Sequence, residues 1–223
     1  MSPKAIIAAV IVVAIGVAGI LLFLSSGGGH TVYVPDDAAR HREKGEFLLN
    51  KRRHTTDKPK RAELLSKAIT EFKKAIEYKA DFEVAHNMLG HCYVEKGQWE
   101  SSLEHFNKAL ELRSDYPAAL FNRALVYQRL SVGRRDNELI DKAIADYKAA
   151  LKSELAANFI GDIHKALSDA YRKKGEIAKA IEELKTYLKK APHAKDAVLV
   201  RRRIRGLTLM QKGSAAPLTA PVD

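Results

Sequence analysis

A chain of 223 residues that is 46% hydrophobic holds enough apolar material for a packed core, which excludes a wholly disordered protein. Its single cysteine, Cys92, excludes an internal disulfide framework and any multi-cysteine metal site. The formal net charge of +11 gathers toward the two ends, because residues 68–116 carry nine Asp/Glu against six Lys/Arg. That balance admits nucleic acid as a partner, yet no zinc spacing, aromatic-studded strand or nucleic-acid motif accompanies it.

Ala5 to Leu24 reads AIIAAVIVVAIGVAGILLFL, without one charged or strongly polar residue. At about 1.5 Å per residue such a helix spans roughly 30 Å, a bilayer's hydrocarbon thickness, and predicts a single transmembrane anchor over residues 1–24. A secretory signal has a shorter apolar region and a small-residue cleavage site, and only Ser25 and Gly27 offer one here. Cleavage near Gly28 therefore stays as an alternative to the uncleaved anchor. Lys4 precedes the span and no Lys or Arg follows it before Arg40, so the positive-inside rule favours an extracytoplasmic carboxyl domain, periplasmic in a bacterium. Ala5/Ala9 and Ala14/Ala18 are small residues four apart, a spacing that admits a homo-oligomer through the span. Residues 25–37, with Ser25-Ser26-Gly27-Gly28-Gly29, read as a flexible linker.

From Ala38 onward the chain alternates helix, turn and helix. The clearest unit runs over residues 83–116, with Leu89, Gly90 and Tyr93 on a first helix, a turn at Lys96-Gly97-Gln98, and Phe106 and Ala109 on a second. A 34-residue shift carries His86 to Leu120, Gly90 to Ala124 and Tyr93 to Tyr127, so small residues recur at small positions and large ones at large. The unit over 158–194 repeats the register with Leu167, Ser168 and Tyr171, then Gly175, Ala180 and Leu184, closed by Pro192. Tyr187 stands there where the pattern expects a small residue. Two further units, 38–82 and 117–157, are stretched: the first by 11 residues around Lys51-Arg52-Arg53 and Lys58-Pro59-Lys60-Arg61, the other by 7 around Ser131–Asn137. Residues 195–212 form a basic amphipathic helix, read as a cap for the array, and 213–223 a disordered tail.

These residues resemble the tetratricopeptide repeat family, on Leu89-Gly90-Cys92-Tyr93, Gly97-Gln98-Trp99, Phe106-Ala109-Leu110, Asn122-Arg123-Ala124-Tyr127, Leu167-Tyr171, Gly175, Ala180 and Pro192. The resemblance implies an all-α fold, a TPR-type α-solenoid of helix-turn-helix repeats preceded by the single transmembrane helix. It also implies a groove lined by first helices, which here would present Asn87, His91, Glu95, Phe121, Asn122, Gln128, Arg129, Lys165, Asp169 and Arg172 to a protein or peptide. This set is mixed polar with one exposed aromatic, suited to an extended peptide. Only Asn122 matches the subclass that clamps the terminal carboxylate of chaperones.

No phosphate loop, nucleophile with a neighbouring base, or helical histidine pair at metal spacing occurs, so the reading is of a chain that is not an enzyme and takes no cofactor or metal. The functional expectation is a membrane-anchored scaffold for protein–protein interaction and complex assembly. The alternative is a membrane-tethered binder of nucleic acid or anionic lipid through Arg52, Arg53, Lys60, Arg61, Arg201, Arg202, Arg203 and Arg205.

Overall fold

The structure, a computed structural model, describes residues 13–14, 21–23, 31–33, 37–134 and 136–214. Two compact units meet in sequence between Ala85 and His86.

The first unit opens with three short strands, β1 (Val13–Ala14), β2 (Leu21–Phe23) and β3 (Thr31–Tyr33), in an antiparallel sheet of order β1-β2-β3. Val13 and Ala14 pair with Leu22 and Leu21, and β2 pairs Leu21 with Tyr33. Where described, residues 13–14 and 21–23 are strand within the span expected as a helix over 5–24, and residues 31–33 are strand within the segment expected as a flexible linker. Hydropathy measures how apolar a segment is and not which backbone it adopts, and Val13, Val32 and Tyr33 are residues that suit a pleated surface. No helix among the described residues is long and apolar enough to cross a membrane. The remainder of 5–24, and the tail from 215, lie outside the described residues.

Helices α1 (Asp37–Arg53) and α2 (Lys58–Tyr78) form the first pair. Asp57 caps α2, its carboxylate accepting from the Lys60 N–H at 3.3 Å, with Pro59 in the first turn where its missing donor costs nothing. The stretched part of this unit is therefore helical, apart from residues 54–57. Eleven extra residues divided between two antiparallel helices lengthen each by about one and a half turns at 3.6 residues per turn. The pair's buried core is Leu49, Leu64, Leu65, Ala68, Ile69, Phe72 and Ala75.

Glu71 is buried between these helices and accepts from His41 at 2.6 Å and Lys44 at 2.9 Å. Burial alone would raise its pKa, but Lys44 and His41 overcome that and hold the carboxyl below the usual carboxylate range. Because folding lowers this pKa, the stabilisation is present above the unfolded value of about 4.3 and disappears as pH falls through the folded one. Replacing Glu71→Gln is expected to cost about 1 kcal/mol at pH 7, and urea unfolding at pH 7 and pH 3 should show that cost shrinking in acid.

The second unit holds α3 (Glu83–Glu95, whose first three residues belong to the first unit), α4 (Trp99–Leu112), α5 (Pro117–Arg134), α6 (Asn137–Lys152), α7 (Ile160–Lys174), α8 (Ile177–Lys190) and α9 (Ala197–Ser214). A 3₁₀ segment, Glu154–Phe159, joins α6 to α7. Helices pair in sequence, and one continuous core runs from Ala109 and Leu110 through Tyr147, Ile163, Leu167 and Leu184 to Val200 and Leu207. The seven extra residues near Ser131–Asn137 are again absorbed as helix, about one turn on each of α5 and α6.

Close approach within a pair depends on a missing side chain. A Cβ on Gly90 would sit 2.7 Å from the fully buried ring of Phe106. Tyr187 is accommodated by the same device from the other side, since a Cβ on Gly161 would lie 2.8 Å from its ring. The chain leaves α7 at Gly175, whose φ of +85° is open to glycine, and its N–H bonds back to the Arg172 carbonyl at 3.1 Å.

Candidate peptide-binding face

The first helices α3, α5 and α7 carry every residue expected to line a groove, and the structure gives them unequal exposure. Asn87 is only 2% exposed: it donates to the Tyr116 hydroxyl at 3.3 Å and accepts from Asn122 Nδ2 at 3.2 Å. The two asparagines, one on each neighbouring first helix, thus tie α3 to α5. His91 faces Glu95 one turn on, at 3.9 Å. Phe121, expected as an exposed aromatic, is half-buried with its ring 5.8 Å from that of Tyr147 and 5.9 Å from that of Phe159. The cause is the 3₁₀ segment, which brings Phe159 against α5.

Gln128 is buried. Its Oε1 accepts from the Tyr147 hydroxyl at 3.2 Å, while its Nε2 has no hydrogen-bond partner among the described residues. Its carbonyl accepts from the Ser131 hydroxyl at 2.9 Å and from Lys173 Nζ at 3.4 Å. Burial pushes the Lys173 ammonium down; Asp169 opposes this, while Arg172 and Arg129 add to it. Arg129 is exposed, its guanidinium 5.8 Å above the Trp99 ring. Four of the expected residues, Gln128, Arg129, Asp169 and Arg172, therefore converge around Lys173. A cavity of about 270 Å³ lined by Ser131, Val132, Asn137, Ile140 and Lys173 opens beside them. Three cations and an unpaired amide donor stand against one carboxylate, Asp169, which also pairs with Arg203. The corner therefore carries an excess of positive charge.

Lys165 lies apart from that cluster, bonded to Asp162 at 3.0 Å and Asp196 at 2.9 Å, with Asp196 the larger cause of its raised pKa. Asp196 also accepts from the Tyr187 hydroxyl. These contacts fasten the segment before α9 onto α7.

The basic residues of the alternative reading fall in separate units. In the first, Arg53 and Arg61 are exposed, Arg52 is half-buried and Lys60 pairs with Glu63 at 2.8 Å. In the second, Arg201, Arg202 and Arg205 are exposed while Arg203 is neutralised by Asp169.

Sequence reasoning missed a polar ladder inside the helix pairs. The residue just before the large buried side chain of the second helix reaches back to the first helix: Glu71 to His41, His105 to His86 at 3.2 Å, Asp146 to Arg123, and Glu183 to His164 at 2.7 Å. The signal was present, because His41, His86 and His164 each stand four residues before Gly45, Gly90 and Ser168.

Residues 90–131 match the family described as TPR repeat, and residues 129–195 that described as tetratricopeptide repeat. Residues 90–195 carry tetratricopeptide repeats. A TPR repeat-containing protein, MJ1428, from Methanocaldococcus jannaschii is 28% identical over 97 residues, covering 41% of this chain and 17% of that protein. The antiviral innate immune response effector IFIT1 of Macaca fascicularis is 34% identical over 95 residues, covering 43% of this chain and 19% of that protein. The chain thus spans less than a fifth of the length of these curated relatives. The solved structure of Pseudomonas aeruginosa pilF superposes with a TM-score of 0.63 at 15% identity, over 79% of this chain and 70% of that one. That likeness is one of fold, an all-α solenoid of tetratricopeptide repeats.

Proposed function

We propose that the chain is a scaffold that holds a partner protein or peptide on the exposed face of α5 and α7, catalyses no reaction, and is held at a membrane by its apolar amino-terminal segment. One observation carries the binding reading: Arg129 and Arg172 lie close to Lys173, which lines an open cavity and reaches the carbonyl of Gln128, whose own Nε2 is buried without a partner among the described residues. A cation desolvated by its own fold gains from an anionic neighbour, and an amide donor buried without a partner gains from an acceptor. An extended peptide with an acidic side chain supplies both. The tetratricopeptide repeats support the choice of a protein ligand, since stacked helix pairs offer an extended surface of graded chemistry. The tether rests on the uncharged run from Ala5 to Leu24, long enough for a hydrocarbon core.

The test is crosslinking and mass spectrometry of the full chain in its native membrane fraction. The double substitution Arg129→Glu/Arg172→Glu should reduce recovery of crosslinked partners about tenfold, the size of effect seen when central interface charges are reversed, with helicity unchanged by circular dichroism. If Arg53→Glu/Arg61→Glu or Arg202→Glu/Arg205→Glu removes binding instead, and the α5–α7 variant does not, the groove reading fails in favour of nucleic acid or anionic lipid. Amino-terminal sequencing of the same fraction reads the tether: a mature start near Gly28 contradicts it.

A further inference from the structure

The last helix differs from the helices it follows in what it leaves uncovered. Arg203 of α9 lies 34 residues after Asp169 of α7 and pairs with it, the spacing of one repeat. The same shift sets Val198, Arg201, Arg202 and Arg205 at the places of His164, Leu167, Ser168 and Tyr171. Those four α7 residues are buried, at 6%, 1%, 0% and 4% exposure, because α8 covers them: His164 bonds Glu183, and the Ser168 hydroxyl donates to the Ala180 carbonyl at 2.8 Å. Their counterparts on α9 are exposed, Val198 at 68%, and Leu209 and Met210 extend the open side at 64% and 61%. The opposite side of α9, with Ala197, Val200 and Leu207, is buried in the core. In the described residues α9 therefore has the lateral contacts of a first helix and lacks the second helix of its pair.

We propose that this face docks an acidic amphipathic helix of a partner protein, held farther off than the second helix of a pair because Arg202 stands where Gly90 and Ser168 allow close approach. Charge selects the occupant. Residues 197–214 contain no Asp or Glu, and among the described residues Arg201, Arg202 and Arg205 show no ion pair, Arg201 donating to the Pro192 carbonyl at 3.3 Å. The pairs already present show how such a face is met. Tyr127 and Tyr171 hold equivalent places on α5 and α7, so Arg123 of α5 stands where Leu167 stands on α7 and where Arg201 stands on α9. Arg123 is held by both oxygens of Asp146 on its second helix, at 2.8 Å each. Three of the four second helices carry an acid immediately before their large buried side chain: Glu71-Phe72, Asp146-Tyr147 and Glu183-Leu184. A helix with an apolar stripe and an acid at that place would set a carboxylate on Arg201 and cover Val198. This docking does not depend on the α5–α7 face, and the two are separable by mutation.

A peptide of residues 137–152, which is α6 with its Asp146, is the probe, labelled with fluorescein and titrated with the full chain by anisotropy. Saturable binding with Kd on the order of 10 μM is expected, a modest affinity for one short helix. Arg201→Glu should weaken it about tenfold, and a peptide carrying Asp146→Lys should bind Arg201→Glu better than the unaltered chain. Val198→Asp should abolish binding with helicity intact, since Val198 is exposed. Equal binding by all chains, or none up to about 1 mM, overturns the proposal. So does a dimer that Val198→Asp converts to monomer, since the face would then belong to a second copy.

Discussion

Replacing Gly90→Leu is expected to destabilise the second unit by about 3 kcal/mol, the upper end of what overpacking costs. The Gly90 backbone approaches Phe106 so closely that even a Cβ would meet Cε1 at 2.7 Å and Cδ1 at 2.8 Å. The ring cannot yield, because Phe106 is fully buried. A larger side chain must therefore push α3 from α4, and the loss of contacts far exceeds the gain of roughly 1 kcal/mol that a better helix former brings. The check is urea unfolding followed by circular dichroism. Phe106→Ala alone leaves a cavity and costs about 3–5 kcal/mol, but in the Gly90→Leu background the new side chain fills that space. The double variant should be more stable than either cost added to the other would allow. Strict additivity would show that Gly90 and Phe106 are not in this contact.

The helix pairs were legible because steric complementarity of this kind leaves a trace in the sequence. Gly45 and Gly90 each precede a large aromatic, Phe72 and Phe106, whose ring lies over the missing side chain. What the sequence hides is how inserted residues are spent. The eleven and seven extra residues become added helical turns, since an antiparallel pair can lengthen on both arms at once. The candidate face was half visible for a similar reason. Helical periodicity brings Arg129, Asp169 and Arg172 to one side of the first helices, but whether a residue is covered depends on a neighbour remote in sequence. Asn87 is buried by Tyr116 and Asn122, and Phe121 by Phe159. At the amino terminus the limit lies deeper. An apolar run of Val, Ile and Leu satisfies the hydropathy of a membrane helix and the propensity of a strand equally, so composition does not choose between them.

The second large effect is expected at Arg123 and Asp146, the one rung of the polar ladder built from a full charge pair with two bonds. Arg123 donates to both Asp146 oxygens at 2.8 Å and to Asn107 Oδ1 at 2.8 Å, which links α4, α5 and α6 through one guanidinium. The side chains are 21% and 10% exposed, so most of the desolvation cost has been met. Burial lowers the arginine's pKa, and the Asp146 carboxylate more than offsets this, leaving it raised. Arg123→Met strands a buried carboxylate and the Asn107 oxygen together. Its expected cost is about 3 kcal/mol, the lower end for breaking a buried pair because Arg123 retains some contact with water. Asp146→Leu should cost a similar amount by stranding the guanidinium. The combination Arg123→Met/Asp146→Leu, apolar on both sides, should recover most of the loss, giving a coupling of about 2 kcal/mol in a double-mutant cycle read by urea unfolding. Raising salt to 1 M should leave that coupling nearly intact, since a pair enclosed by three helices is little screened. A coupling near zero, or one that salt removes, would mean that water reaches the pair and that α5 and α6 are held by their apolar stripe alone.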